Sequence, residues 1–359
     1  MKSTLDLLKK NTMVIVLVIV YLFFTIMTKG QMFQALNFNA LITQNAYVYV
    51  LGVGMLMCML TGGNIDLSCG SFVCFVGAVG GVILSIKGWG TAATIILMLV
   101  IGIIYGCLLG WLIAYVNIPP WIATLAGYLA FRGWGVAILS GNSSTGSISL
   151  SKYPGFIGLF SGKLFETPVT EFNTICMVAG IIGAVIIIIL NFSSRATKLK
   201  KGYEADSFGI TLIKSVVLAA AVILFGYKLA KAGGIPTALV WVIVVVLIYN
   251  FITDKTTIGR YFYTIGGNRE ATRLSGINTK MIMFLAYLNM AFLTVVTGYL
   301  VVSRFQTANS RIYSYLFHGD ILRRLTTKNY TQVYHLRLIV FNRCSYGKAG
   351  SILEYFGIL

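Results

Sequence analysis

The chain has 359 residues, 57% of them hydrophobic and 11% charged, with a mean hydropathy of +0.85. That much apolar material excludes a soluble globular domain and leaves an all-α polytopic membrane protein. The 28 Lys and Arg outnumber the 10 Asp and Glu for a net charge of +18, but they cluster in short loops between apolar runs. This is the pattern of cytoplasmic loops on a multi-span protein, so no nucleic-acid partner is expected.

An apolar helix needs roughly 20 residues to cross a bilayer. About nine transmembrane helices are predicted, over residues 12–28, 41–61, 71–86, 91–116, 121–139, 174–190, 215–230, 235–253 and 280–302. Lys2, Lys9 and Lys10 precede the first apolar run, as in a signal peptide. No small-x-small cleavage site follows, so an uncleaved first helix is expected.

A broken helix is predicted near residues 62–70, Gly62-Gly63-Asn64-Ile65-Asp66-Leu67-Ser68-Cys69-Gly70. The glycines permit an unwound backbone, and Asp66 or Ser68 can cap a helix restarting at about Leu67. Two readings stand side by side. The break presents polar groups to a solute pathway, or Asp66 caps a helix end at the interface. Cys58, Cys69, Cys74, Cys107 and Cys176 lie in or beside apolar segments without metal or disulfide spacing, and read as small hydrophobes.

Gly102, Gly106 and Gly110 at four-residue spacing point to close helix packing. Asn117-Ile118-Pro119-Pro120 reads as a tight corner, with Trp121 anchoring the next span. Inside that span, Arg132 either snorkels to the outer interface beside Trp134 or faces a water-filled path. The loop over 140–173 is rich in Ser and Gly and suits the external face. The loops carrying Arg195, Lys198, Lys200, Lys201 and Lys214, and Lys255, Arg260, Arg269, Arg273 and Lys280, are basic. With a cytoplasmic N-terminus both fall inside.

In the second basic loop, residues 264–278, Asn268 is a cap for one or two helical turns that end at Gly276. Such a charged helix is either a solvated turn or an element that docks into another protein. Beyond 310 the chain changes character. Residues 311–359 hold both histidines, His318 and His335, and no spanning apolar stretch. They read as an irregular, loosely packed, non-membrane tail on a transmembrane domain of residues 1–310.

The sequence has no P-loop, no HExxH, no nucleophile elbow and no voltage-sensor or filter pattern. It is not expected to be an enzyme, to bind metal or to hydrolyse ATP.

Three segments carry a family resemblance. Residues 62–71 resemble the GGIDLSVGS signature of bacterial ATP-binding-cassette sugar permeases of the ribose, xylose and galactose type, with Asn64 as an extra residue. Residues 124–132 resemble their TLGT…FRG segment, and 263–277 their YAIGGNEEAARLSGI segment; residues 280–304 resemble the helix that follows. The ordered set covers roughly 10–310 and is nearest the xylose or multiple-monosaccharide branch.

The resemblance implies a permease subunit in a bacterial cytoplasmic membrane that pairs with a second permease, binds two cytoplasmic ATPases and receives sugar from an external binding protein. It implies a coupling helix that contacts the ATPase at Asn268, Glu270, Ala271, Arg273, Leu274 and Gly276. It puts Asn64, Asp66, Ser68 and Ser71 along the substrate path. ATP is then used by the partner, and no cofactor is expected in this chain. Family members continue past the equivalent of 306–310 into a second glycine-rich break and further spans. The tail departs from that pattern as a shifted reading frame would, which sets a truncated, non-transporting remnant as the alternative. A branched-chain amino-acid permease is the other rival.

Overall fold

The computed structural model describes residues 12–168, 171–200, 202 and 207–309. The predicted tail, the first lysines and Lys201 lie outside the described residues. Helices dominate: α1 Thr12–Met27, α2 Ala35–Leu60, α3 Cys69–Ser85, α4 Thr91–Ala114, α5 Pro120–Asn142, α6 Pro154–Ser161, α7 Thr174–Lys200, α8 Phe208–Lys231, α9 Thr237–Lys255, α10 Thr257–Gly267, α11 Arg269–Leu274 and α12 Thr279–Phe305. Each of the nine predicted spans is a helix. Seven of them, α2, α4, α5, α7, α8, α9 and α12, are long and apolar enough to cross a membrane. The chain is thus an all-α multi-pass membrane protein. Helix α3 has 17 residues, about 25 Å at ~1.5 Å per residue, and is the shorter apolar helix that follows the break.

The described residues divide into two compact units, one drawn from 12–43 and 163–236, the other from 44–162 and 237–309. In the first, α7 and α8 form an antiparallel pair. Gly180 and Gly226 face each other so closely that a Cβ on Gly180 would stand 3.0 Å from the Gly226 Cα. Strand β2 (Lys163–Leu164) pairs antiparallel with β3 (Ile235–Pro236). The Lys163 ammonium donates to the Ala232 carbonyl at 2.8 Å, and the Asn173 amide to the Phe165 carbonyl at 2.5 Å.

Two predicted spans here were too short. Arg195, Lys198 and Lys200 lie on α7, and Lys214 lies on α8, so the predicted basic loop consists largely of helix ends. Lys and Arg are strong helix formers, and the helices outrun their apolar stretches.

In the second unit α12 is the central element, with residues from Thr279 to Ser303 buried along its length. The glycine stripe of α4 lies on it. A Cβ on Gly106 would stand 2.8 Å from the Ala291 Cβ and 3.0 Å from the Leu288 Cα, and one on Gly110 would stand 2.9 Å from the Phe284 carbonyl oxygen. Without a hydrophobic drive between helices in lipid, close backbone approach of this kind supplies packing. The expected close-packing role of the stripe is met.

The loop over 140–173 is more ordered than its composition suggested. Strand β1 (Ile148–Ser149) pairs antiparallel with β4 (Thr307–Ala308), Ile148 opposite Ala308. Helix α6 buries Phe156 and Phe160, and Phe160 stacks on Tyr299 of α12 at 4.9 Å. The Pro119-Pro120 corner forms as expected, with Asn117 left-handed at φ 63° and Pro120 opening α5.

Replacing Gly106 with valine forces backbone apart and is expected to cost about 1–3 kcal/mol, read as a lower melting temperature in detergent. Alanine at Gly52, where a Cβ meets nothing within 4 Å, is expected to leave melting unchanged.

Candidate functional site

Helix α2 ends at Leu60 because the chain turns on itself. The Gly63 amide donates to the Met59 carbonyl at 2.7 Å and the Thr61 hydroxyl to the Cys58 carbonyl at 2.7 Å, so two of the last carbonyls are satisfied. Gly62 at φ 115° and Gly63 at φ 81° take conformations that side chains rarely adopt. The half-buried Asn64 folds back, its amide donating to the Thr61 carbonyl and hydroxyl at 3.2 Å.

Asp66 is 2% exposed. Its Oδ1 accepts the Ser68 amide at 2.8 Å and the Ser68 hydroxyl at 2.5 Å. The Tyr105 hydroxyl of α4 in turn donates to Ser68 Oγ at 2.6 Å. A buried carboxylate is thus the end of a chain of donors, Tyr105 to Ser68 to Asp66, which is the arrangement that makes a polar group tolerable away from water. The helix restarts at Cys69, two residues later than expected, and the Ser68 side chain does not cap it. Its proton is committed to Asp66, which corrects the expectation of a Ser68 cap. Ser71, one turn on, is 1% exposed, and its hydroxyl has no hydrogen-bond partner among the described residues.

Two residues that the sequence reading did not select complete this cluster. One is Tyr105. The other is Gly127 of α5, where a Cβ would stand 2.5 Å from the Tyr105 hydroxyl and 3.1 Å from the Ser68 Cβ. Gly127 lies seven residues into α5, about 10 Å from the helix start. Phe72, Tyr105 and Phe131 close over the cluster with ring centroids 4.4–4.8 Å apart. Asp66, Ser68 and Ser71 therefore share one buried neighbourhood, while Asn64 stays with the turn at the end of α2.

The second group of predicted residues forms the surface helix α11. Asn268 Oδ1 accepts the Ala271 amide at 3.0 Å, and Gly276 lies just past the end in a left-handed conformation, φ 82°. The expected cap and stop are both present. Arg273 donates to Glu270 at 2.5 Å, and that hydrogen bond holds the Glu270 carboxyl below the usual carboxylate range. Both side chains are 63% exposed, so the pair orders the helix surface more than it stabilises the fold. Thr272 is buried and anchors the helix, whereas Asn268, Glu270, Ala271, Arg273, Leu274 and Gly276 are all exposed. Leu274 is 77% exposed.

The structure adds α10 in front of this helix. It is amphipathic, capped by Thr256, with Phe262, Tyr263 and Ile265 buried. Its Gly266 lies directly on the Leu60 carbonyl, which a Cβ would overlap. The exposed helix and the break are thus joined by a backbone-to-backbone contact.

A family of permease components of branched-chain amino acid transport systems matches residues 37–320. The chain belongs to this transport permease family. The xylose transport system permease protein of Escherichia coli (strain K12) is 30% identical over 293 residues, 81% of this chain and 71% of the relative. The corresponding xylose permease protein of Haemophilus influenzae is 27% identical over 81% of this chain and 74% of the relative. The ribose import permease protein of E. coli K12 is 25% identical over 84% of this chain and 71% of the relative. No solved structure matches the chain.

Replacing Tyr105 with phenylalanine removes one donor from the buried chain. It is expected to lower stability in detergent by about 0.5–1.5 kcal/mol, read as a fall in melting temperature, whereas Ser68→Ala, which removes the middle of the chain, is expected to cost more.

Proposed function

We propose that this chain is the membrane-spanning permease subunit of an ATP-driven importer of a monosaccharide, a xylose-like pentose or related hexose. The observation that carries the reading is the similarity to xylose and ribose permeases over four-fifths of the chain. In this reading the protein lies in a bacterial cytoplasmic membrane with its N-terminus inside. The basic C-terminal end of α7, Lys214 near the start of α8 and the basic loop of α10 and α11 then share the cytoplasmic side, as the positive-inside rule asks, while Lys228 and Lys231 in the last turn of α8 fall outside.

The chain performs no chemistry on its cargo. Two cytoplasmic ATPases hydrolyse ATP, an external binding protein delivers the sugar, and a second copy of this chain completes the pore. Helix α11 contacts the ATPase through Asn268, Glu270, Ala271, Arg273, Leu274 and Gly276. The support for this is an exposed leucine held rigidly on a capped helix in an otherwise charged loop, a surface shaped to fill a groove. Movement at α11 reaches the break through the seat of Gly266 on Leu60. Asn64, Asp66, Ser68 and Ser71 then belong to the path whose opening that movement controls.

An amino-acid permease is the second reading, favoured by the description of the matching family. Uptake of radiolabelled xylose, ribose, galactose and leucine by cells expressing the complete system separates the two. ATP-dependent uptake of a sugar is expected. Uptake of leucine alone contradicts the proposal. Leu274→Asp is expected to lower co-purification of the ATPase at least tenfold with unchanged abundance of the permease in the membrane, and unchanged co-purification contradicts the role given to α11.

A further inference from the structure

Among the described residues, Arg132 is the one charged residue placed deep in a long span. It lies twelve residues from Pro120 and ten from Asn142 on α5, about 18 Å and ~15 Å from the two ends. Every other charged side chain on the seven long helices of the described residues lies within six residues of a helix end. Those can snorkel to the interface; Arg132 is farther in than one side chain reaches.

Its environment does not neutralise it. The guanidinium makes one hydrogen bond, Nη1 to the Tyr128 hydroxyl at 3.0 Å, on the same helix face one turn back. A guanidinium has five N–H donors and stays charged. The remaining donors meet no acceptor among the described residues, and the side chain is exposed. Hydrocarbon cannot satisfy such a group, so the exposed Arg132 needs water, a polar solute or an acceptor on a neighbouring protein. Tyr128 is buried, so its hydrogen bond tethers the arginine while the rest of the fork stays exposed.

We propose that Arg132 lines the solute path at mid-depth and donates hydrogen bonds to the hydroxyl and ring oxygens of the passing sugar. A planar fork of donors matches neighbouring oxygens on a polyol. The ligand named here rests on the sugar-permease reading, but the placement of Arg132 in water does not.

The test separates the two. Arg132→Cys and Ile104→Cys are made in the full chain, assembled with its ATPase in membrane vesicles, and labelled with a water-soluble, membrane-impermeant maleimide. The unsubstituted chain gives the baseline from its own cysteines. Ile104 is at comparable depth on α4, is 63% exposed, and has Ile103 and Leu108 beside it, so it reports the lipid face. Arg132→Cys is expected to react at least tenfold faster than Ile104→Cys, with xylose or another transported sugar slowing the reaction. Equal rates overturn the proposal and put Arg132 in lipid or against a second copy. Fast labelling without protection by any transported sugar, together with an Arg132→Gln variant whose KM for uptake is unchanged, overturns the sugar contact alone. Arg132→Lys, which keeps the charge but loses the fork, is expected to retain membrane abundance while raising KM at least fivefold. If the unsubstituted system moves no sugar, the labelling rates still decide whether Arg132 faces water.

Discussion

A buried carboxylate in a membrane domain has few solutions, and the organisation of the second unit follows from the one adopted at Asp66. Its oxygen needs donors, and lipid and apolar side chains have none. The chain supplies them locally by leaving the helix between Leu60 and Cys69, so that the Ser68 amide and hydroxyl both turn to Asp66. Tyr105 then feeds the Ser68 hydroxyl from α4. That contact fixes α4 against the break, the glycine stripe of α4 fixes it against α12, and Gly127 lets α5 close over the hydroxyl of Tyr105.

The same break sits at the junction with the surface loop. A cap for α3 alone would not require the preceding turn to carry α10 on its carbonyl. Yet Gly266 rests on Leu60, and two residues beyond Gly267 begins the exposed, capped helix α11. In the proposed transport cycle, a displacement of α11 has a short route to Gly62 and Gly63 through the contact of Gly266 with Leu60. The two alternatives for the break, helix cap and pathway, are therefore compatible. The turn at Thr61–Gly63 lies against α10, and Asp66 and Ser68 lie farther along α4 and α5.

The parts legible in the sequence were those carried by local chemistry. Two glycines before a carboxylate announce an unwound turn, and Asn268 with Gly276 brackets a helix by its own cap and stop. The glycine spacing of α4 is periodic and points to one face. What escaped depends on partners distant in the chain. Tyr105 is an ordinary tyrosine in an apolar helix until it meets Ser68, 37 residues away. Gly266 looks like loop filler until α10 folds onto Leu60. Helix α6 is only eight residues long, inside a stretch whose Ser and Gly content reads as loop. A lone glycine among the residues TLAGY gives a weak hint of close approach, and it was the one signal for Gly127.

The central question is whether Asp66 acts in transport or only holds the turn. Asparagine at Asp66 keeps the acceptor oxygen for the Ser68 amide and hydroxyl and removes the charge. The decisive measurement is ATP-driven sugar uptake per permease molecule in proteoliposomes holding the complete importer, for the unsubstituted chain and for Asp66→Asn at matched abundance. The account predicts a loss of at least tenfold in uptake with the permease still folded and still bound to its ATPase. Uptake equal to that of the unsubstituted chain would contradict it and leave Asp66 a structural cap.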